Sequence, residues 1–347
     1  MKIAFTICSN NYLAQAKTLG DSLFEKNPDY KFVIGLCDEL STDIDYSFFE
    51  GVEIIPVSQI EIYCFDEIIK KYNIIELNTS IKASLFKYLI SKHEGLETII
   101  YFDPDIRVFN KLDLLEKYLE KDDILITPHI LNPISVDDFS PSENLFLNYG
   151  IYNLGFLALN ATSQDARNLL NWWEDKTLKI GFDRVSEGLF VDQLWINLAP
   201  VFFNNVKILK EYGFNVAPWN LHERNLIKKN NEQYIMQDGS KLVFYHFSSY
   251  NYTKPELISK RYNRYNSVVL SEEIHQLYDQ YQNKLMENKI HFFSKIKCQY
   301  MKEMDQIVKK KSLYKVVLYN VLPPFVYKIW NMLFAYNRKD KLINLKR

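Results

Sequence analysis

The sequence predicts an α/β fold, a Rossmann-like mixed central sheet flanked by helices, and three observations carry the prediction. Near the amino terminus, strand, helix and strand patterns alternate. Lys2 to Cys8 (KIAFTIC) is an apolar run, Asn11 to Phe24 spaces Leu13, Ala16, Leu19 and Leu23 at helical intervals, and Lys31 to Cys37 (KFVIGLC) is a second apolar run. Further on, Thr98 to Phe102 is a short run of β-formers that stops abruptly at Asp103-Pro104-Asp105, at the carboxyl end where open α/β sheets bind ligands. With 347 residues and 47% hydrophobic content, the chain has material for one large α/β domain with an appendage.

The first strand leads into Ser9-Asn10-Asn11-Tyr12, not into a glycine-rich loop, so neither a dinucleotide fingerprint nor a P-loop is present. Thr6, Ser9 and Asn11 are small and polar and can hydrogen-bond a base or ribose, and Tyr12 can stack on a base; the alternative is that they only cap the helix. Val52 to Val57 is expected as a strand and Glu61 to Tyr72 as a helix. Ser80 to Lys92 is a helix bearing Lys82 and Lys87, either of which could reach a diphosphate, with Lys87 preferred.

Asp103 and Asp105 are the central candidates. Pro104 disfavours helical backbone at Asp103, so both carboxylates are expected on extended backbone, projecting to one side. Two hard oxygen donors suit a Mn2+ or Mg2+ ion that shares its remaining positions with water and phosphate. The competing reading is a plain strand-terminating turn.

Beyond this, Lys111 to Glu120 reads as a helix and Asp123 to Thr127 as a strand. Pro128 to Asn148 is a long loop expected to act as an acceptor-side lid. Ile151 to Asn160 is a strand interrupted by Asn153-Leu154-Gly155, where glycine marks a close approach. Ser163 to Leu178 is a helix. Glu187 to Leu198 is expected as a helix that places Asp192, Gln193 and Asn197 among apolar neighbours. Val206 to Leu209 and Lys241 to Phe247 are the last strands of the body. His246 ends the second, and Lys254 follows in a polar loop, an imidazole for a metal and an ammonium for phosphates.

Together these landmarks resemble the nucleotide-sugar-dependent glycosyltransferases of the GT-A fold, closest to glycosyltransferase family 8, the glycogenin and galactosyltransferase-like group. The resemblance runs from residue 1 to about 255 and rests on Asn11-Tyr12, Tyr101-Phe102-Asp103-Pro104-Asp105, Asn153-Leu154-Gly155-Phe156 to Asn160, Asp192-Gln193 with Asn197, and His246 with Lys254-Pro255. It implies that Asp103, Asp105 and His246 hold the metal, that Lys254 and Lys87 contact the diphosphate or donor sugar, and that Asn153, Asp192 and Gln193 surround the sugar and reacting carbon. The chain departs from the family pattern in spacing His246 and Lys254 by eight residues instead of six, in lacking that loop's glycine and tryptophan, and in having Lys87 where arginine is usual. The implied reaction is transfer of a sugar from a nucleoside diphosphate donor, UDP-sugar first among them, to a hydroxyl acceptor. The family likeness implies that the anomeric configuration is retained; an inverting enzyme would draw its base from Asp183, Glu187 or Asp192. The alternative is a non-catalytic nucleotide-sugar or glycan-binding protein of the same fold.

Composition bounds the setting. Cys8, Cys37, Cys64 and Cys298 show no metal or redox spacing, and the apolar run at the amino terminus is too short for a signal peptide. A cytoplasmic protein is expected, divided into a catalytic domain at 1–265 and a basic amphipathic helical extension at 266–347. From residue 289 onward twelve Lys and two Arg face only Glu303, Asp305 and Asp340, interleaved with aromatic and aliphatic residues. That pattern fits an anionic membrane surface, on whose inner face a lipid-linked glycan would be extended in cell-surface polysaccharide or glycolipid synthesis. Packing of the tail on the body or on a second subunit leaves a homo-oligomer open, and the acidic body argues against nucleic acid.

Overall fold

The structure is a computed structural model that describes residues 1–230, 233–265 and 270–300. Its first compact unit runs Met1–Gln299. In chain order the elements are β1 (Lys2–Cys8), α1 (Leu13–Lys26), β2 (Tyr30–Leu36), β3 (Glu53–Pro56), α2 (Phe65–Lys71), α3 (Ile74–Ser80), α4 (Lys82–Lys92), β4 (Thr98–Phe102), β5 (Ile106–Val108), α5 (Asp113–Leu119), β6 (Ile124–Pro128), α6 (Glu143–Tyr149), β7 (Tyr152–Asn160), α7 (Gln164–Ile180), β8 (Asp183–Arg184), β9 (Leu189–Phe190), α8 (Ala199–Phe202), β10 (Val206–Ile208), β11 (Leu226–Asn230), β12 (Gln233–Met236), β13 (Phe244–His246), α9 (Glu272–Glu287) and α10 (Ile290–Phe293).

The expected mixed central sheet is present. Seven strands run in the order β10-β6-β7-β4-β1-β2-β3. β1 pairs in parallel with β2 and β4, and β2 with β3, so their carboxyl ends share one edge. β7 alone runs antiparallel, between β4 and β6. That reversal brings the amino end of β7, with Asn153 and Gly155, to the edge where β4 delivers Asp103. β1 and β4 are buried on both faces, which is why they read as continuous apolar runs without alternation.

Two expectations about segments change here. The stretch from Pro128 to Asn148 is not a bare loop: it contains α6 and is tied down along its length. Glu223 accepts from Leu131 N at 2.8 Å and Asn132 N at 2.5 Å, and Arg264 forks onto Asp137 at 2.7 and 2.9 Å. The segment around Asp192 is a turn and a 3-10 segment, not a regular helix.

The expected boundary at 265/266 does not coincide with the compact unit. α9 buries Ile274, Leu277, Tyr278, Tyr281 and Leu285 in the same core as Ala4 and Ile100, and the Tyr281 ring stacks on Phe247 at 3.7 Å. Each such side chain contributes about 1.5–3 kcal/mol by leaving water. The remainder of the basic extension, from residue 301, lies outside the described residues. Among the described residues no helix is long and apolar enough to cross a membrane.

Candidate functional site

β4 runs out at Phe102 and the chain turns back: Ile106 N donates to Asp103 O at 3.1 Å. Asp103 to Ile106 is therefore a β-turn and not the extended stretch expected from Pro104. The turn is held on both sides. Asp103 N donates to Gly155 O at 2.8 Å, and Phe247 N donates to Asp105 O at 2.9 Å. β13 pairs antiparallel with β5, setting His246 opposite Ile106, and this ladder brings a residue from far along the sequence to the two aspartates.

His246 Nε2 lies 3.0 Å from Asp105 Oδ1 and 3.8 Å from Asp103 Oδ2. One ligand atom from each of the three residues falls within 4.8 Å of the others. Burial opposes charge on His246, but the Asp105 carboxylate outweighs it and raises the imidazole pKa. Burial opposes charge on Asp105 too, and His246 reverses it, holding that carboxyl below its ordinary value. Tyr101 donates its hydroxyl to Asp103 Oδ1 at 2.6 Å. Two carboxylates and one imidazole form a donor set that fits Mn2+ or Mg2+, since a cation can take the place of the shared proton. The glycine in β7 has its explanation here: a Cβ on Gly155 would stand 2.5 Å from His246 Cε1.

Beside this triad lies a buried lysine. Lys82 opens α4 with its ammonium 2.6 Å from Asp192 Oδ2, 2.9 Å from Leu154 O, 4.0 Å from Asp103 Oδ1 and 4.1 Å from the Tyr101 ring centre. Burial raises the Asp192 pKa, and Lys82 only partly offsets it. Asp192 sits in a turn after β9, followed by a 3-10 segment at Leu194–Leu198, in place of the expected helix. The turn needs Val191 at φ 39°, a left-handed conformation costly for a β-branched residue, and Trp173 Nε1 pins it by donating to Asp192 O at 2.9 Å. Backbone strain of this kind accompanies a side chain that must point one way.

Gln193 is held with defined polarity. Leu154 N can only donate, so it faces Gln193 Oε1 at 3.0 Å, and Tyr149 O can only accept, so it faces Nε2 at 2.8 Å. Asn197 serves the same scaffold, accepting from Ile151 N at 2.9 Å.

These groups border a cleft of about 660 Å³ that also takes in His129, Trp219 and Arg261. A recess of about 230 Å³ adjoins it, bordered by Ser9, Asn11, Tyr12, Ile75 and Asn78 along with Asp103 and Asp105. Of the residues singled out in the sequence, Ser9, Asn11, Tyr12, Asp103, Asp105, Asn153, Asp192, Gln193 and His246 all border this continuous space. Three do not. Thr6 is wholly buried within β1. Lys87 turns to Glu174 Oε2 at 2.5 Å, on the side of α4 that faces α7. Lys254 is exposed in its loop and borders neither cavity.

Sequence reasoning ranked Lys82 below Lys87 and passed over Arg261 and His129. For Lys82 a signal existed: a lysine in the first turn of a helix opposes the helix dipole and asks for another reason to be there. Arg261, seven residues past Lys254, borders the cleft, and its charge lowers the pKa of Asp105 and Tyr12 against their stronger desolvation.

No protein-family model matches the chain. Over 253 residues it is 23% identical to the uncharacterized protein YfnF of Bacillus subtilis (strain 168), covering 71% of this chain and 80% of that one. Among solved structures it is similar to the galactosyltransferase LgtC in complex with donor and acceptor sugar analogs, at 16% identity and a TM-score of 0.49 over 83% of this chain and 96% of that one. It is also similar to the glycosyltransferase GlyE of Streptococcus pneumoniae TIGR4, at 14% identity and a TM-score of 0.43 over 85% and 66% of the two chains.

Proposed function

We propose that this chain is a metal-dependent glycosyltransferase of the GT-A type that moves a sugar from a nucleoside diphosphate, UDP in the first instance, to a hydroxyl of a glycan acceptor. The observation that carries the reading is the meeting of Asp103, Asp105 and His246 at the carboxyl edge of the sheet, within the same cleft as Lys82, Asp192 and Gln193. Two carboxylates and an imidazole beside a polar cleft match the needs of a charged leaving group and a polyhydroxylated substrate.

In this reading Ser9, Asn11 and Tyr12 take the base and ribose in the smaller recess. A Mn2+ or Mg2+ ion bound by Asp103, Asp105 and His246 would neutralise the diphosphate as it leaves. Arg261 takes the part expected of Lys254, offering a guanidinium to the phosphate oxygens. Lys82 balances the Asp192 carboxylate and orients it toward the larger cleft. Asp192 and Gln193 flank the reacting carbon, and transfer proceeds with retention. Gln193 already spends its amide oxygen on Leu154 N, so it meets the sugar as an N–H donor. Were the reaction inverting, Asp183 and Asp192 are the candidate bases that border the cleft, Asp192 paired with Lys82, while Glu187 is turned to Arg184 at 3.4 Å.

The test is a panel of UDP-, GDP-, dTDP- and CMP-sugars, with and without manganese, scored by nucleotide release in the wild type and in Asp105→Ala. Metal-dependent release from one donor, lost in the variant, supports the reading. Silence across the panel together with no nucleotide binding by calorimetry overturns it in favour of a non-catalytic binding protein. The basic extension is proposed to hold the enzyme against an anionic membrane bearing a lipid-linked acceptor for cell-surface polysaccharide or glycolipid synthesis. Equal lack of flotation with anionic liposomes for the full chain and a 1–299 truncation would remove that part.

A further inference from the structure

His129 follows β6 directly and is buried at the border of the cleft, with its ring stacked on Phe146 at 5.0 Å and edge-on to Trp219 at 5.3 Å. Its Nδ1 is 3.2 Å from Ile151 O. A carbonyl can only accept, so the proton is on Nδ1 and Nε2 is a bare acceptor. Burial holds the ring neutral, with its pKa pushed down to about 4.

The group that Nε2 faces is the Asn153 amide, at 3.3 Å. Asn153 Oδ1 accepts from Gly155 N at 3.2 Å and Asn215 Nδ2 at 3.0 Å, which fixes which end of that amide is oxygen. Its Nδ2 therefore has two hydrogens to place, one on His129 Nε2 and the other on Gln193 Oε1 at 3.3 Å. Every hydrogen-bonding position of Asn153 is then taken by protein. The resemblance assigned Asn153 to the donor sugar, but the side chain as packed has no capacity left for one.

We propose that His129 is a positioning residue. By accepting one Asn153 hydrogen it turns the other onto Gln193 Oε1, a second bond beside the one from Leu154 N, and so secures the Gln193 oxygen away from the substrate and leaves its free N–H available to it. The consequence rests on the sugar-transfer reading; the hydrogen-bond relay itself does not. Without an acceptor at position 129 the Asn153 amide is a buried donor with nowhere to go, and rotating it to recover a partner breaks its bond to Gln193.

The experiment compares His129→Phe, which keeps a ring against Phe146 but removes the acceptor, with His129→Gln, which restores an amide oxygen. The first readout is the side-chain amide 1H–15N signals of Asn153 and Gln193 in the labelled full-length protein, assigned through Asn153→Asp and Gln193→Glu. The second is turnover of the donor identified above. His129→Phe is expected to shift both amide signals and to lower kcat at least about tenfold, with donor KM changed less than about threefold. His129→Gln is expected to recover the signals and much of kcat.

A folded His129→Phe protein with wild-type amide signals overturns the relay, and one whose KM rises while kcat stays unchanged overturns the positioning role. Should His129→Phe not fold, His129→Met removes the acceptor with a more adaptable side chain and the same outcomes apply. If the wild type turns over no nucleotide sugar, the functional reading fails, while the amide signals still decide the relay.

Discussion

Lys82 and Asp192 meet at 2.6 Å with no more than 3% of either side chain exposed, joining the first turn of α4 to the turn after β9. Neither charge has water to fall back on, so removing one partner strands the other. Lys82→Met is expected to cost about 3–5 kcal/mol of stability, and Lys82→Met with Asp192→Leu to recover most of it. Lys87→Met removes a partly exposed pair with Glu174 and should cost no more than about 1 kcal/mol. Urea midpoints of the three variants measure the difference, and a Lys87→Met protein that loses nucleotide release would put the diphosphate cation back on Lys87.

At position 155 the space for a side chain is taken by His246. Gly155→Ala places a Cβ 2.5 Å from Cε1 and 2.7 Å from Nδ1, so either the imidazole leaves Asp105 or β7 shifts away from β4. The expected outcome is a protein that still folds, destabilised by about 1–3 kcal/mol, and that binds Mn2+ much more weakly. Calorimetric titration with manganese checks it, and unchanged affinity in Gly155→Ala and in His246→Ala alike would show that His246 is not a ligand.

Manganese binding should be linked to pH in a stated direction. The His246 pKa is raised by Asp105, so below that raised value a proton must leave before the metal can bind. Affinity is expected to climb with pH by up to about tenfold per unit in that range and then level off. Asp105→Asn should abolish the binding at every pH.

His129 makes the protein sensitive to acid by the opposite shift. Its folded pKa of about 4 lies below the ordinary 6.5, so between those values the unfolded chain binds a proton that the folded chain refuses. Stability therefore falls as pH drops through that window, by up to about 3 kcal/mol, and is unaffected above it. Subtracting the pH profile of urea midpoints for His129→Gln from that of the wild type isolates the contribution from that of the carboxylates.

The Asp137–Arg264 fork ties the stretch before α6 to the segment that carries Arg261 and Tyr262 into the cleft. Arg264→Ala is expected to raise amide hydrogen exchange across 133–142 and 259–265 together, leaving β1 and β4 protected. Faster exchange in only one of the two stretches would show that they move independently.

Local pattern alone determined much of this protein. The apolar runs at Lys2 to Cys8, Lys31 to Cys37 and Thr98 to Phe102 correspond to β1, β2 and β4 within a residue or two, because strands buried on both faces are built almost entirely of apolar residues. Asp103, Asp105, Asn153, Asp192, Gln193 and His246 were all marked by polar residues breaking apolar runs. What only the tertiary structure decided is which of them touch and which cations join them. The antiparallel course of β7 brings Asn153 and Gly155 to the β4 edge, and the β5–β13 ladder brings His246 to a turn far away in sequence. The choice of Lys82 over Lys87 depends on which way α4 is rolled against the sheet, five residues being too nearly a full turn and a half for spacing to settle it. Arg261, His129 and the strained Val191 turn carry no local signature, because their roles are set by partners that approach from other parts of the chain.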